Sequence, residues 1–441
     1  MSIARKSAYD FASRLGILVI TMLTGIVLNR MVGAAGRGAY VLATVVVLTQ
    51  LQNFASLGIQ VSNQVLVGRD RESLGRLHAW AVVLALLVQT VLGLVVWLFR
   101  APLLDGVFRG ITPWHLALAT CAVGSSFYWM AWQGLMIGLG DIRTLARFHF
   151  YLALLQNACI IIVLRITQPL VYPGRLTVTV DILVGIFLAI QILSVVGMAL
   201  VLRRHGALWG PLEGERLRRL LSFGTRVYVG NVASGLLSQL DQLLVNGLAG
   251  IGALGVYNQA ASLANKVWMV SSGIESAAYS PMTSATKEQA RGLAVDLFRV
   301  TFLLSLVLIG LGWIAAPLIP WIYGRDFESA VFPFRLLILG TAMFGCGRMI
   351  SMYFTGFKQS PQTLLVLNWV LLPIHANLCL WLIPTRGIRG ACLATTITYT
   401  LSVTVLLVLF WRDGPAPRLR RLFVPQADDF HRLRRLWNRG R

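Results

Sequence analysis

The sequence predicts an all-α polytopic membrane protein, and three observations carry that expectation. Hydrophobic residues fill 56% of the 441 positions and charged residues only 13%, too little charge to cover a soluble fold of two or three domains. Apolar runs bounded by Arg, Gly and Pro recur along the whole chain, each close to the ~20 residues that cross a bilayer's hydrocarbon core. Basic residues crowd into alternate connections between those runs, the pattern of a chain that crosses a membrane many times.

Taken in order, about twelve candidate spans follow from a window of ~20 residues: 8–33, 39–66, 78–99, 113–138, 148–166, 181–202, 223–249, 255–280, 298–323, 331–356, 362–384 and 388–411. The first begins MSIARKSAYDFASRLGILVI, with the positive head and apolar run of a secretory signal. It is expected to stay as an uncleaved first helix rather than be cut near 33–36, because a near-copy occurs in mid-chain where no signal operates.

If the N-terminus is cytoplasmic, the inner loops hold Arg69, Arg71 and Arg76, then Arg143 and Arg147, then Arg203, Arg204, Arg216, Arg218 and Arg219, then Lys287, Arg291, Arg299 and Lys358. The outer loops hold fewer, among them Arg30, Arg37, Arg109, Arg325, Arg386 and Arg389, so both termini are expected in the cytoplasm. A net charge of +22 suggests nucleic acid in a soluble protein. Here it belongs at the membrane face, with membrane lipids as partners and no nucleic acid.

The longest internal connection, RRHGALWGPLEGERLRRLLSFG, divides the chain near its middle. It predicts an N-terminal six-helix lobe over 1–205, a cytoplasmic linker over 206–222, a C-terminal six-helix lobe over 223–412 and a basic cytoplasmic tail over 413–441. The tail places Phe430, Leu433 and Trp437 at helical spacing, which reads as a surface helix on anionic lipid.

A repeat supports this division. Asn29, Gly33, Gly38 and Tyr40 recur as Asn246, Gly250, Gly255 and Tyr257, all at one offset of 217 residues. A second echo pairs GLGDIRTL around Gly138 with GFKQSPQTL around Gly356 at a nearly equal shift. An even number of spans per copy keeps both halves in one orientation, related by a pseudo-two-fold along the membrane normal. The glycines allow a tight hairpin and close approach of helix backbones.

Polar residues at helical intervals mark a candidate path. Asp10, Arg14 and Thr21 share one face of the first span, and Asn53, Gln60 and Gln64 one face of the second. Asn231, Ser234, Ser238 and Asp241 line the seventh span; Gln259, Ser262 and Lys266 line the eighth, with Glu275 on its opposite face. An ionised group at mid-membrane depth costs about 2.5–3.5 kcal/mol, so Lys266 faces a watery cavity, a substrate, or an ion-pair partner such as Asp241 or Glu275. Asp241 and Glu275 are the candidates for ion coupling, with the same structural ion pair as alternative. Arg14 lies near the inner interface and either lines the cavity or snorkels; Arg226 and Arg348 read as interfacial. His375 reads as a hydrogen-bonded core histidine, and Asn53, Gln60 and Gln64 read equally as helix-packing glue.

Enzyme chemistry finds no support. There is no G-x-x-x-x-G-K-[ST] loop for nucleotide phosphates, and the six histidines form no metal-ligand spacing. Cys121, Cys159, Cys346, Cys379 and Cys392 stand apart in apolar segments and read as small core residues. No cofactor, metal or catalytic residue is expected. A membrane glycan polymerase or ligase would carry a sizeable outer loop with clustered acidic or His residues, and none is visible.

At the GRGAY turn, and through LLSFGTRVYVGNVASGLLSQLDQLLVNGLAGIGALGVYNQAASLANKV, the chain resembles the polysaccharide flippases. Their superfamily also holds multidrug-and-toxin extruders and lipid II flippases. The resemblance implies two six-helix lobes in a V that open alternately to either side of the bacterial inner membrane around a cationic cavity. It implies outward movement of oligosaccharide on undecaprenyl pyrophosphate, for O-antigen, capsule or exopolysaccharide, in company with the pathway's glycosyltransferases and polymerase. Lys266 and Arg14 match positions where cations line such cavities, as contacts for pyrophosphate or acidic sugar. A proton- or sodium-coupled multidrug extruder is the alternative, and it would need a more acidic lining than Asp10, Asp241 and Glu275 provide.

Overall fold

In the computed structural model, residues 3–167, 176–206, 209–414 and 423–424 are described, and these are helical with short connections. The expected amphipathic tail over 425–441 lies outside them, as do the side chains of Asp10, Arg14, Arg226 and Asn231. The helices in chain order are α1 Ile3–Val41, α2 Leu48–Ala55, α3 Ile59–Arg69, α4 Leu74–Leu98, α5 Arg100–Asp105, α6 Pro113–Cys121, α7 Val123–Leu139, α8 Ile142–Thr167 and α9 Leu176–Arg204. There follow α10 Gly214–Ala249, α11 Ile251–Ala264, α12 Trp268–Thr283, α13 Lys287–Ala315, α14 Leu318–Tyr323, α15 Val331–Met352, α16 Gln362–Arg386 and α17 Ile388–Arg412.

Among the described residues, 8 segments are long and apolar enough to cross a membrane. The rest of the expected spans fall on helices that are shorter or more polar, such as α7 with 17 residues and the polar 36-residue α10. The membrane character shows in where apolar side chains point. Leu86 on α4, Ile314 on α13 and Trp381 on α16 are 64%, 79% and 71% exposed, surfaces that only lipid covers well.

Contacts divide the chain into two compact units, 5–255 and 256–441. In this division α10 lies with the first unit. The reason is that α10 packs along the first unit over its whole length. At its start, Arg216 pairs with Asp70 at 2.9 Å and Arg76 with Glu213 at 3.1 Å. Next, Gly224 and Gly58 press backbone to backbone: a Cβ on either would lie 2.2 Å from a carbonyl oxygen of the opposing strand of chain. Further along, Gly235 receives the side chain of Asn53. At its far end, Asn246 Nδ2 donates to the carbonyls of Val107 and Arg109, both at 2.9 Å. The core of this unit centres on α7, where Phe127, Ala131, Trp132 and Leu135 are wholly buried against α3 and α4.

The repeat has a physical counterpart here. Gly33 interrupts α1 with φ 64° and ψ −170°, and Gly250 separates α10 from α11 with φ 89° and ψ 171°. Both take the conformation open only to glycine, at equivalent places. The two turns also meet reciprocally: a Cβ on Gly38 would sit 2.0 Å from the Ile251 carbonyl oxygen, and one on Gly255 would sit 1.9 Å from that of Ala34. Each residue of one contact is the other's partner shifted by the repeat, the signature of a local two-fold. The second echo survives as a pair of helix ends, since Gly140 (φ 76°) and Gln359 (φ 49°) both turn left-handed after α7 and α15.

In the second unit, α15 is the central helix, packed between α13 and α17 with α16 beyond. His375 is a buried core residue as expected, its Nδ1 3.0 Å from Thr398 Oγ1. Cys346, Cys379 and Cys392 are buried too, whereas Cys121 is exposed, because it sits at the end of α6 on the face away from the core. At one end of this unit the loops are tied together by Asp413, which accepts from Tyr353 Oη at 2.5 Å and from Lys358 Nζ at 2.7 Å. Burial pushes the Asp413 carboxyl up, but the hydrogen bonds from Lys358 and Tyr353 and the charges of Lys358 and Lys287 outweigh it and hold the group below its ordinary value of 3.8. A depressed carboxyl stabilises the fold fully above the unfolded value and loses that contribution as pH falls through the folded one. The melting temperature of wild type over Asp413→Asn is therefore expected to be highest near neutral pH and to shrink as pH drops below 3.8; a difference flat from neutral to that range would contradict it.

Candidate functional site

In the first unit the polar residues lie on α2, α3, α7 and α8. Gln60 Nε2 donates to Gln133 Oε1 at 3.3 Å, and Gln133 Nε2 donates to His149 Nε2 at 3.0 Å. The His149 ring lies 4.6 Å from that of Trp129. Gln60 and α7 come this close because Gly134 leaves room: a Cβ there would stand 2.1 Å from the Gln60 carbonyl oxygen. Gln64, one turn on, is exposed, and Asn53 is half-buried with its Nδ2 lacking a hydrogen-bond partner among the described residues. Gln50, one turn before Asn53, is 4% exposed with neither polar atom of its amide satisfied. Unpaired buried amides are costly, so this strip is a place where water or a polar ligand gains hydrogen bonds. Asp241 is 6% exposed and accepts from the Gln242 N–H at 2.8 Å.

In the second unit the polar residues flank a local tightening of one helix. Between α11 and α12 the chain makes one turn of 3-10 helix at Asn265–Val267, and Lys266 sits in that turn, half-buried. One hydrogen bond ties this turn to α15, from Trp268 Nε1 to the Thr341 carbonyl at 3.1 Å; the Thr341 hydroxyl, 3.4 Å from the Ala264 carbonyl, lies closer to the Leu337 carbonyl of its own helix at 2.9 Å. The Trp268 ring also rests against Phe344. A 3-10 stretch inside a longer helix often marks a hinge or a functional position. Gln259, two turns before Lys266, is 3% exposed. Glu275 pairs with Arg348 at 2.5 Å. Arg348 is thus a partner for a carboxylate inside the unit and not only an interfacial arginine.

Residues 154–332 match the profile of a family described as polysaccharide biosynthesis protein, a stretch that includes α10 to α12 and therefore Asp241, Gln259, Lys266 and Glu275. No curated protein sequence matches the chain. Among solved structures, a lipid II flippase MurJ in an inward closed conformation superposes with a TM-score of 0.70 at 14% identity, over 99% of this chain and 97% of that one. An inward-facing multidrug resistance MATE family transporter gives 0.64 at 15% identity, over 94% and 95%. A Pyrococcus furiosus transporter whose binding pocket is described as having reverse polarity gives 0.56 at 13%, over 93% and 94%. The fold is that of the MOP superfamily.

The resemblance to the superfamily's polysaccharide flippases, read above from the repeated turn and the Asp241 to Lys266 stretch, agrees with the family match. The MOP fold also brings together residues that spacing along the chain did not single out. Gln133 and His149 join Gln60 from separate helices. His115 is 3% exposed, and its Nε2 lies 2.7 Å from Asp181 Oδ1, off the line of a good hydrogen bond. Its Nδ1 accepts from the Thr112 N–H at 3.2 Å. Only the polar character of these residues within apolar runs signalled them in advance.

Proposed function

We propose that this protein flips an oligosaccharide carried on undecaprenyl pyrophosphate from the inner to the outer leaflet of the bacterial inner membrane, for O-antigen or exopolysaccharide assembly. The observation that carries the reading is Lys266 on a 3-10 turn within a stretch matching a polysaccharide biosynthesis family. A pyrophosphate-linked sugar needs a hydrated, cationic surface for its head while its prenyl tail stays in lipid. Lys266 supplies one positive charge and Arg14, on the first span, a second. Asn53, Gln60, Gln64, Asn231 and Gln259 supply hydrogen bonds to sugar hydroxyls. The lobes 1–205 and 223–412 alternate access to this path, and both termini lie in the cytoplasm. The protein is a transporter, not an enzyme, and receives its substrate from glycosyltransferases and delivers it to a polymerase.

Asp241 and Glu275 are the proposed coupling groups. For Glu275, the ion pair with Arg348 sets the expectation. Glu275→Gln or Arg348→Gln alone is expected to lower thermal stability by several degrees, because each leaves a charge unpaired in a half-buried setting. The double variant is expected to recover most of that loss. If Glu275 also carries the coupling proton, export by the double variant loses its dependence on the proton gradient; full retention of that dependence removes Glu275 from the coupling role.

The function is tested by complementing a flippase-deletion strain and measuring surface glycan and lipid-linked precursor together. Restored surface glycan with a fallen precursor pool is expected. The multidrug alternative predicts ethidium efflux and an unchanged precursor pool.

A further inference from the structure

The second unit carries a pocket that plays no part in the path through Lys266. It opens at the end of the unit where α15 and α17 begin, with a volume of about 360 Å³, and three of its lining residues are Arg335, Arg386 and Arg389. We propose that it is a receptor for the phosphate group of a membrane lipid.

Charge is the first argument. Glu328 is the only carboxylate in the lining, so three arginines against one glutamate leave two positive charges uncompensated. Among the described residues, no carboxylate lies within the 4.0 Å of an ion pair to any of the three arginines. Arg335 is fixed in place rather than free in solvent: its Nη2 donates to the Trp313 carbonyl at 3.2 Å, and Trp313 Nε1 donates back to the Arg335 carbonyl at 3.1 Å. Its Nε is buried and makes no hydrogen bond. Arg389 is placed by Phe332, over whose ring its guanidinium stands at 4.9 Å. An arginine held by its neighbours with donors left over is prepared for an anion.

The backbone sets the positions of these groups. Val331 and Ile388, both in the lining, open two long helices, and Arg386 closes the helix before the second of them. Gly387, at φ 56°, makes the sharp turn that sets Arg386 and Arg389 on either side of the second helix start. Neither helix has a side-chain cap.

Depth identifies the source of the anion. Phe332, in the lining, and Trp313, bonded to Arg335, are 48% and 45% exposed, and Trp321 on α14 and Trp381 in the last two turns of α16 are 76% and 71% exposed. Exposed aromatics gather at the level of the lipid headgroups. A phosphate at that level belongs to a lipid: Arg335, Arg386 and Arg389 bind its oxygens, while Phe332 and Ile388 meet the first carbons of the attached chain. Two lipid phosphates share this chemistry, the phosphodiester of an anionic phospholipid and the phosphate of a prenyl carrier. Only the second would make the pocket a station for the transported lipid, and that version rests on the proposed function.

The test uses purified full-length protein in detergent and native mass spectrometry with phosphatidylglycerol, undecaprenyl phosphate or, as a lipid without phosphate, dioleoylglycerol. Wild type is expected to retain a phosphate lipid and to pass over dioleoylglycerol. Arg386→Gln with Arg389→Gln is expected to cut retention about tenfold, the loss of charge-assisted bonds from two forks. Arg325→Gln, an exposed arginine outside the lining, is expected to behave as wild type. Loss confined to phosphatidylglycerol identifies a headgroup site, and loss confined to undecaprenyl phosphate identifies a carrier site. Equal retention by the double variant, an equal loss in Arg325→Gln, or retention of dioleoylglycerol to the same extent overturns the proposal. If the double variant does not give folded protein, the two single variants carry the same comparison. Because the readout is binding without transport, its failure leaves the flippase reading untouched.

Discussion

Lys266→Ala is expected to lower surface glycan export by about tenfold or more, since losing a hydrogen bond to a charged group costs ~1.5–3 kcal/mol and 1.4 kcal/mol is a factor of ten. Export is read per molecule of protein in the membrane, so that a change in level is separated from a change in transport; the Trp268 Nε1 bond to the Thr341 carbonyl, which ties down the 3-10 turn carrying Lys266, is left in place by this substitution. Lys266→Arg is expected to retain part of the activity, as it keeps the charge but changes a compact ammonium into a planar fork. Trp268→Ala should then act differently from Lys266→Ala. It releases the turn itself, so it is expected to reduce both export and thermal stability. Export undiminished in Lys266→Ala would mean that the charge is tolerated for structural reasons and has no contact with substrate.

The second large effect is structural. Gly38→Ala and Gly255→Ala are each expected to destabilise the protein by about 1–3 kcal/mol, the usual range for overpacking a tight contact. Larger values are in reach, because the atom met is a backbone oxygen that cannot rotate away, 2.0 Å from a Cβ on Gly38 and 1.9 Å from one on Gly255. The two effects are expected to be similar in size, since the contacts are exchanged by the repeat. Gly25→Ala, where a Cβ meets nothing within 4 Å, serves as the reference and is expected to be near neutral or slightly stabilising in its helix. A melting temperature unmoved by Gly38→Ala, or moved equally by Gly25→Ala, would contradict the close approach of the two turns.

These contrasts explain how far the sequence could be read. The all-α membrane fold was legible because lipid imposes length and hydropathy on every span, and the repeat was legible because glycine alone satisfies Gly33, Gly38, Gly250 and Gly255. The 3-10 turn at Lys266 was not, since Asn265, Lys266 and Val267 contain neither Gly nor Pro. The π-helical turn at Leu42–Val47 was hidden in the same way within LATVVV. Side-chain partnerships across the chain were also out of reach: Glu275 with Arg348, Gln60 with Gln133 and His149, and the convergence of Arg335 with Arg386 and Arg389. Spacing along a helix shows which residues share a face, but not which face of which other helix meets it. The position of α10 illustrates the point. Within it, Arg216 pairs with Asp70 and Glu213, and Gly58 and Gly224 let the two stretches of chain approach closely.

The most direct measurement of the central claim is leaflet-to-leaflet movement of a fluorescent oligosaccharide on undecaprenyl pyrophosphate in proteoliposomes of the full-length protein, read by quenching from outside. The account predicts movement by wild type well above empty liposomes, a fall towards that background in Lys266→Ala, and no ethidium transport by either. Ethidium transport without glycolipid movement, or glycolipid movement indifferent to Lys266, would contradict it.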